Sequence, residues 1–190
     1  MKAIERREQI RERAGVLFRE KGFAATSMRD LAVDLGIEAA SLYNHVASKD
    51  EILRDICFSM AESFFQAIAP IVASESQPKE KLRAMIAAHL TVIAARRDAS
   101  AVFLHEWRHL ANPALDEFRQ MRKRYERNFQ TVIEDGIVSG AFRPIDPRLL
   151  VRTILSATNW TYDWLKPQSK AGLTETIDAL CTVLLEGVAL

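Results

Sequence analysis

Two short stretches hold most of the residue types that do chemistry. The first is His105-Glu106-Trp107-Arg108-His109, which spells H-E-x-x-H. On a continuous helix, two histidines four apart share a face and can share a zinc ion, with the glutamate acting as base toward a metal-bound water. As an enzyme motif it is incomplete. A catalytic zinc takes three protein ligands, and the extended form of the motif fails because Asn112 and Leu115 stand where Gly and His are needed. Glu126 and Glu134 are the acids within reach along the chain, each inside an ordinary helical pattern. A zinc-dependent hydrolase using His105, Glu106 and His109 is therefore the alternative reading. The principal reading has no catalytic residue, no metal and no cofactor.

The second stretch is Ser41-Leu42-Tyr43-Asn44-His45-Val46-Ala47-Ser48-Lys49, which crowds hydrogen-bonding side chains into a short segment. Just upstream, Ser27 and Asp30 have capping-box spacing, as do Ser48 and Glu51 just downstream. Between the caps, Asp34-Leu35-Gly36-Ile37 is a glycine turn joining two short helices, the outline of a helix-turn-helix. Leu31, Ala32, Leu35, Ile37, Leu42 and Val46 are the residues to pack this pair inward. The third helix then exposes Ala39, Ala40, Ser41 and Asn44, short residues suited to the floor of a major groove. Tyr43, His45 and Lys49 flank them as candidates to hold phosphates. Thr26, Ser27 and Arg29 do so from the preceding helix, with Met28 beside them. Amides at the start of the fourth helix add a further anion-binding feature.

These side chains need a helical frame, and the rest of the chain supplies one. Hydrophobic residues make up 48% of the 190, with only seven Gly and six Pro, which favours long helices around a packed core. Ile10, Ala14, Leu17 and Phe18 form one helical stripe, closed by Gly22. Further helices are expected at about 49–72, 78–95, 98–111, 113–138, 147–165 and 174–188, with Lys166-Pro167 breaking the last two apart. The expected fold class is all-α with about nine helices, as residues 1–48 carry a three-helix head and residues 49–190 a helical bundle. Cys57 and Cys181 lie within apolar patterns and read as buried hydrophobes. The N-terminus has no apolar signal core, and no run of about 18 apolar residues is evident, so a cytoplasmic protein without membrane contact is expected. Net charge is +1, and the first 54 residues hold ten bases against nine acids. Any DNA-binding face must come from where the bases are placed.

The stretch Phe23 to Leu53, "FAATSMRDLAVDLGIEAASLYNHVASKDEIL", resembles the TetR family of bacterial transcriptional regulators. Leu35 and Val46 depart from the residues common in that pattern, Ala and Phe, but stay apolar. The chain length and Gly136-x-x-x-Gly140-x-Phe142 are also similar. The resemblance implies a homodimeric repressor that binds double-stranded operator DNA and is released by a small-molecule effector. It also implies that the last two long helices pair the protomers. Their stripes are Leu150, Ile154, Ala157 and Thr161, and Ile177, Leu180, Leu184 and Val188. Candidate effector residues are Phe64, Met85, His89, Phe103, Trp107, Arg108, Met121, Tyr125, Asn159, Trp160 and Trp164. "NWTYDWLKP" (residues 159–167), followed by Gly172-Leu173-Thr174, is similar to a TetR subgroup that controls fatty-acid, aromatic-acid or sterol breakdown and often responds to CoA thioesters. For such a ligand's polyanionic head, Arg96, Arg97, Arg108, Arg119, Arg122, Lys123, Arg124 and Arg127 are the available cations.

Overall fold

The computed structural model describes residues 2–165 and 169–186. Its elements are α1 (Lys2–Lys21), α2 (Met28–Asp34), α3 (Ala39–Tyr43), α4 (Lys49–Val72), α5 (Pro78–Ala95) and α6 (Arg97–His105). A 3-10 turn (Trp107–His109) follows, then α7 (Ala114–Val138), α8 (Pro147–Asn159), α9 (Thr161–Trp164) and α10 (Lys170–Glu186). The fold is all-α, as expected, and no strand element occurs among the described residues. The eighth expected helix is interrupted at Trp160, which caps α8 and opens α9. Helix α10 starts at Lys170, ahead of the expected Thr174. The expected break at Lys166-Pro167 lies outside the described residues.

The chain divides into two compact units, and the division differs from the expected boundary after residue 48. The first unit runs to Ala61 and includes Arg97–Gln120; the second holds Glu62–Arg96 and Met121 onward. Both α4 and α7 thus contribute residues to each unit.

In the first unit, α1 buries Ile10, Ala14, Leu17 and Phe18, the stripe visible in the sequence. It stops where Gly22, at φ +84°, returns its amide to the Phe18 carbonyl at 3.0 Å. Ser27 caps α2 with a complete capping box: the Asp30 amide donates to Ser27 Oγ at 3.1 Å, and the Ser27 amide to Asp30 Oδ2 at 2.8 Å. These bonds, led by the Ser27 hydroxyl, hold the Asp30 carboxyl below its usual range. Gly36, at φ +64°, makes the turn into α3, and the Ile37 amide closes it on the Ala32 carbonyl at 3.0 Å. Arg13 on α1 grips Asp34 with two bonds of 2.7 Å. Arg7 reaches Glu51 at 2.6 Å and Asp55 at 3.1 Å, and Arg19 reaches Asp98 at 2.5 Å. Much of the basic charge on α1 is therefore spent tying that helix to α2, α4 and α6.

In the second unit, α5 packs against α8, α9 and α10. Leu82, Met85, Ile86, His89, Leu90 and Ile93 of α5 are buried, a stripe at helical spacing that faces this core. At the end of α7, the Phe142 amide bonds the Gly136 carbonyl at 2.9 Å, and the Phe142 ring packs directly against Gly136. Gly140, at φ +74°, makes the reversal that brings it there.

By length and composition alone, α4 is long and apolar enough to cross a membrane, with mean hydropathy 1.2 in its most apolar window. Its apolar side chains Ile52, Leu53, Ile56, Cys57, Met60, Phe64 and Ile68 are buried within the protein, the pattern of a core helix. Both cysteines are buried, as expected.

Candidate nucleic-acid interface and effector site

α3 is one and a half turns long and anchored by Leu42, which is fully buried. Around that anchor, Ala40, Tyr43 and Asn44 are exposed, while Ala39, Ser41 and His45 are half-buried. Tyr43 stands out, with 54% of its surface accessible. Beside it, Ser27 and Arg29 are exposed and Met28 is half-buried. Ser27, Met28, Arg29, Tyr43, Ala47 and Ser48 are among the residues lining one open concave surface. The structure thus brings most of the expected DNA-facing residues together, on elements fixed by two caps and a glycine turn.

Two of the expected phosphate ligands are differently employed. Thr26 is buried, and its hydroxyl donates to the Gly22 carbonyl at 2.8 Å. Lys49 turns its ammonium inward, onto the carbonyls of Phe23 (3.0 Å), Ala24 (3.3 Å) and Thr26 (3.0 Å). An ammonium has three donors, and three acceptors are supplied. The start of α4 is likewise occupied: the Glu51 amide bonds Ser48 Oγ at 3.1 Å, and the Glu51 carboxylate takes the Ala47 amide at 2.6 Å. The sequence shows a lysine after a cap; it does not show that the preceding turn aims its carbonyls at that lysine.

H-E-x-x-H does not form a zinc site. α6 ends at His105, Glu106 begins a tighter turn, and His109 closes a 3-10 helix, so the two histidines do not share one α-helical face. His109 instead pairs with Glu106 at 3.5 Å and lies 5.3 Å from the Phe23 ring. No group of three or more His, Cys, Asp or Glu side chains among the described residues is arranged to hold a metal. This geometry does not support the hydrolase alternative.

The candidate effector residues fall in both units, and each unit is described in turn. In the second unit, Phe64, His89, Tyr125 and Asn159 form one cluster. His89 accepts a hydrogen bond at Nδ1 from the Tyr125 hydroxyl at 3.0 Å, and its Nε2 donates to Asn159 Oδ1 at 3.0 Å. Phe64 stacks on the His89 ring at 4.6 Å, and Tyr125 meets Phe65 and Phe129, each at 5.5 Å. Burial pushes the His89 imidazole down to about 4, the Asn159 bond opposing this, and pushes the Tyr125 phenol up. Both are neutral at physiological pH. Met85 is buried on α5 and Met121 half-buried on α7. Phe103 and Trp107 belong to the first unit, where both rings pack on Phe118, and Arg108 lies over the Trp107 ring. Trp160 and Trp164 are exposed, at 57% and 48%. Phe65 and Phe129 were missed by the sequence reading; Phe129 lies one helical turn after Tyr125, the signal that places it nearby, whereas Phe65 directly follows Phe64 and carries no such signal. Of the basic run, Arg119 pairs with Asp116 at 3.1 Å and Arg124 lies over Phe65.

The expected pairing stripes also need revision. Leu150, Ile154, Thr161 and Ile177 are buried in the protomer's own core, and Leu180 and Leu184 are half-buried. Ala157 is exposed, as are Leu149, Trp160, Trp164 and Val183, which lie off the expected stripes. Both helices are apolar on more than one face, and the more regular stripe faces inward. Val188 lies outside the described residues.

A capped helix-turn-helix with a short-residue recognition helix, carried on an all-α chain, defines a DNA-binding transcriptional regulator. Residues 9–56 match the bacterial regulatory proteins of the tetR family, and residues 75–188 match the tetracyclin repressor-like C-terminal domain. The chain belongs to the TetR family of transcriptional regulators. It is similar to the HTH-type transcriptional repressor KstR2 of Rhodococcus jostii (strain RHA1), with 29% identity over 187 residues, 97% of this chain and 91% of that one. The solved structure of the ketosteroid transcriptional regulator KstR2 of Mycobacterium tuberculosis matches with a TM-score of 0.90 at 28% identity, over 97% of this chain and 95% of that one. AibR in complex with isovaleryl coenzyme A and operator DNA shares the fold, with a TM-score of 0.81 at 23% identity over 94% and 97% of the two chains.

Proposed function

We propose that the protein is a homodimeric, cytoplasmic repressor, released from its operator when a small molecule occupies the second unit, and that it catalyses no reaction. The observation that carries the DNA-facing part is the exposed rim of Ala40, Tyr43 and Asn44 around buried Leu42, beside exposed Ser27 and Arg29. Asn44 and Ser41 read base edges, Ala39 and Ala40 allow close approach, and Tyr43, His45, Ser27 and Arg29 hold backbone phosphates.

For the effector, an acyl-CoA or a related lipid or aromatic metabolite suits the second unit. Its ring-rich wall of Phe64, Phe65, Tyr125 and Phe129 suits an apolar acyl group. His89, Tyr125 and Asn159 supply the few oriented polar atoms such a pocket needs. Support also comes from AibR, a protein of the same fold that holds isovaleryl coenzyme A in its solved complex. Release requires only that the ligand bind the DNA-incompetent arrangement more tightly. A preference of about 100-fold is worth about 2.7 kcal/mol.

The test has two parts. A duplex is first selected by the protein from random sequence. Saturated, aromatic and polycyclic acyl-CoA esters are then titrated into the complex, followed by fluorescence anisotropy and native mass spectrometry. The expected result is binding of at least one ester with release of DNA. Release by a neutral drug or dye, with no ester bound, overturns the acyl-CoA assignment and leaves the regulator intact.

A further inference from the structure

Lys49 sits at the first position of α4, where a lysine beside a DNA-reading helix is expected to neutralise a phosphate. Its surroundings assign it otherwise. All three of its donors meet main-chain carbonyls, of Phe23, Ala24 and Thr26. The ammonium also lies 4.4 Å from the centroid of the Phe23 ring. That ring is buried, edge-on to Phe18 at 5.2 Å and tilted against His109 at 5.3 Å.

The carbonyls concerned belong to the turn between α1 and α2. The bonds to Phe23 and Thr26 are part-buried and the bond to Ala24 is exposed, so on the order of 1–3 kcal/mol, the cost of a fully buried unmade carbonyl, is an upper bound for each. Two further bonds tie the turn locally. The Gly22 carbonyl takes the Thr26 hydroxyl at 2.8 Å, and the Phe23 carbonyl also takes the Thr26 amide at 3.3 Å. The turn ends at Ser27, the cap of α2. Lys49 therefore ties the start of α4 to the residues that set the start of α2. Ser27, Arg29 and Tyr43 line the same concave surface, so their spacing depends on that tie.

We propose that Lys49, seated on Phe23, is a positioning residue for DNA recognition: it holds the turn of residues 22–27 against α4 and makes no phosphate contact of its own. H-E-x-x-H then has a use unrelated to metal, since its last histidine forms one wall of the pocket that holds the Phe23 ring.

A positioning residue and a phosphate ligand differ in what their loss changes. Removing one phosphate contact lowers affinity for every duplex alike, and reduces the dependence of log affinity on log salt by about 0.9. Removing the tie instead misplaces the side chains that read sequence. The inference rests on the chain's binding DNA, and the proposed experiment separates the two. Lys49→Met, Lys49→Arg and Phe23→Leu are compared with the parent on a duplex selected by the parent protein and on a scrambled duplex, across a salt series. Amide exchange of residues 22–30 is followed without DNA, and thermal melting confirms folding.

Lys49→Met is expected to lose about tenfold on the selected duplex, equivalent to 1.4 kcal/mol, while its affinity for scrambled DNA and its salt slope stay unchanged. Exchange at residues 22–30 should accelerate. Lys49→Arg should remain impaired, because a planar guanidinium fork cannot meet three carbonyls arranged around a point charge. Phe23→Leu should show the same pattern in milder form, and stands in if Lys49→Met does not fold. Equal losses on both duplexes with a salt slope shallower by about one, or full activity in Lys49→Arg, overturns the proposal. So does unchanged exchange at residues 22–30, whatever the outcome with DNA.

Discussion

Tyr43 and His89 show how burial divides work between side chains of similar chemistry. Tyr43 is more than half exposed at the end of α3, so its ring contributes little to stability and is available to DNA. Tyr43→Ala should leave the melting temperature within about a degree or two of the parent and weaken selected and scrambled duplexes alike, as loss of a phosphate-facing hydroxyl requires. Parallel melting and anisotropy measurements check this, and unchanged affinity would refute the assigned role. His89 has the opposite setting. Its imidazole, buried between Tyr125 and Asn159, is pulled down to about 4 from an ordinary 6.5. The folded state then binds fewer protons than the unfolded state between these values, so stability falls as pH drops from about 6.5 to about 4 and levels off below. Two and a half pH units bound the loss at about 3 kcal/mol. In chemical denaturation across pH 7 to 4, His89→Gln should flatten this part of the slope. The depressed carboxyls of Asp30 and Asp34 act lower, as pH falls below the usual carboxylate range, so they do not mask it.

Caps, glycines and stripes explain which elements were legible in advance. The limits of α1, α2 and α4 follow from Gly22, Ser27 and Ser48, local signals whose partners lie within four residues. The sequence could not show where two competing apolar faces of α8 and α10 would turn, because burial depends on neighbours distant in the chain. Nor could it show that α6 stops at His105, since nothing local breaks the helix there. The exposed side of α3 was legible because Leu42 and Val46 fix its inward side. The inward Lys49 was not, because its acceptors are carbonyls, which every residue has. Two expectations follow for these elements. Ser27→Ala removes one side of a complete capping box and should cost about 1 kcal/mol in denaturant unfolding. Gly136→Ala is harsher. An added Cβ would lie 2.1 Å from a Phe142 ring atom, and that ring is 1% exposed. Overpacking of this kind costs about 1–3 kcal/mol. In a double-mutant cycle, Phe142→Ala should recover part of the Gly136→Ala loss, since the clash disappears with the ring. Strict additivity would show that the contact does not set the cost.

A repressor that reads two half-sites must hold two recognition helices at a fixed separation, about 34 Å or a multiple, and one chain supplies a single such helix. Pairing of protomers is therefore part of the proposed function, and the protomer's surface says where to look for it. Leu149 and Val183 are 57% and 74% exposed, on α8 and α10. Neither supports the fold of the single chain. A glutamate at either position would be solvated in a monomer and cost little. Within a two-fold interface the same charge is buried twice, once from each protomer, at about 3–5 kcal/mol for each unpaired charge. Leu149→Glu and Val183→Glu should thus keep far-ultraviolet circular dichroism and melting near the parent's. In analytical ultracentrifugation at micromolar concentration they should shift the protein toward monomer. Selected-duplex affinity should then fall steeply with dilution, and a covalent tandem linkage of two chains should restore part of it by raising effective concentration. A parent protein that sediments as a monomer yet binds the selected duplex tightly would remove the dimer from the mechanism. Separate dimerisation of both variants would instead place the interface on another face.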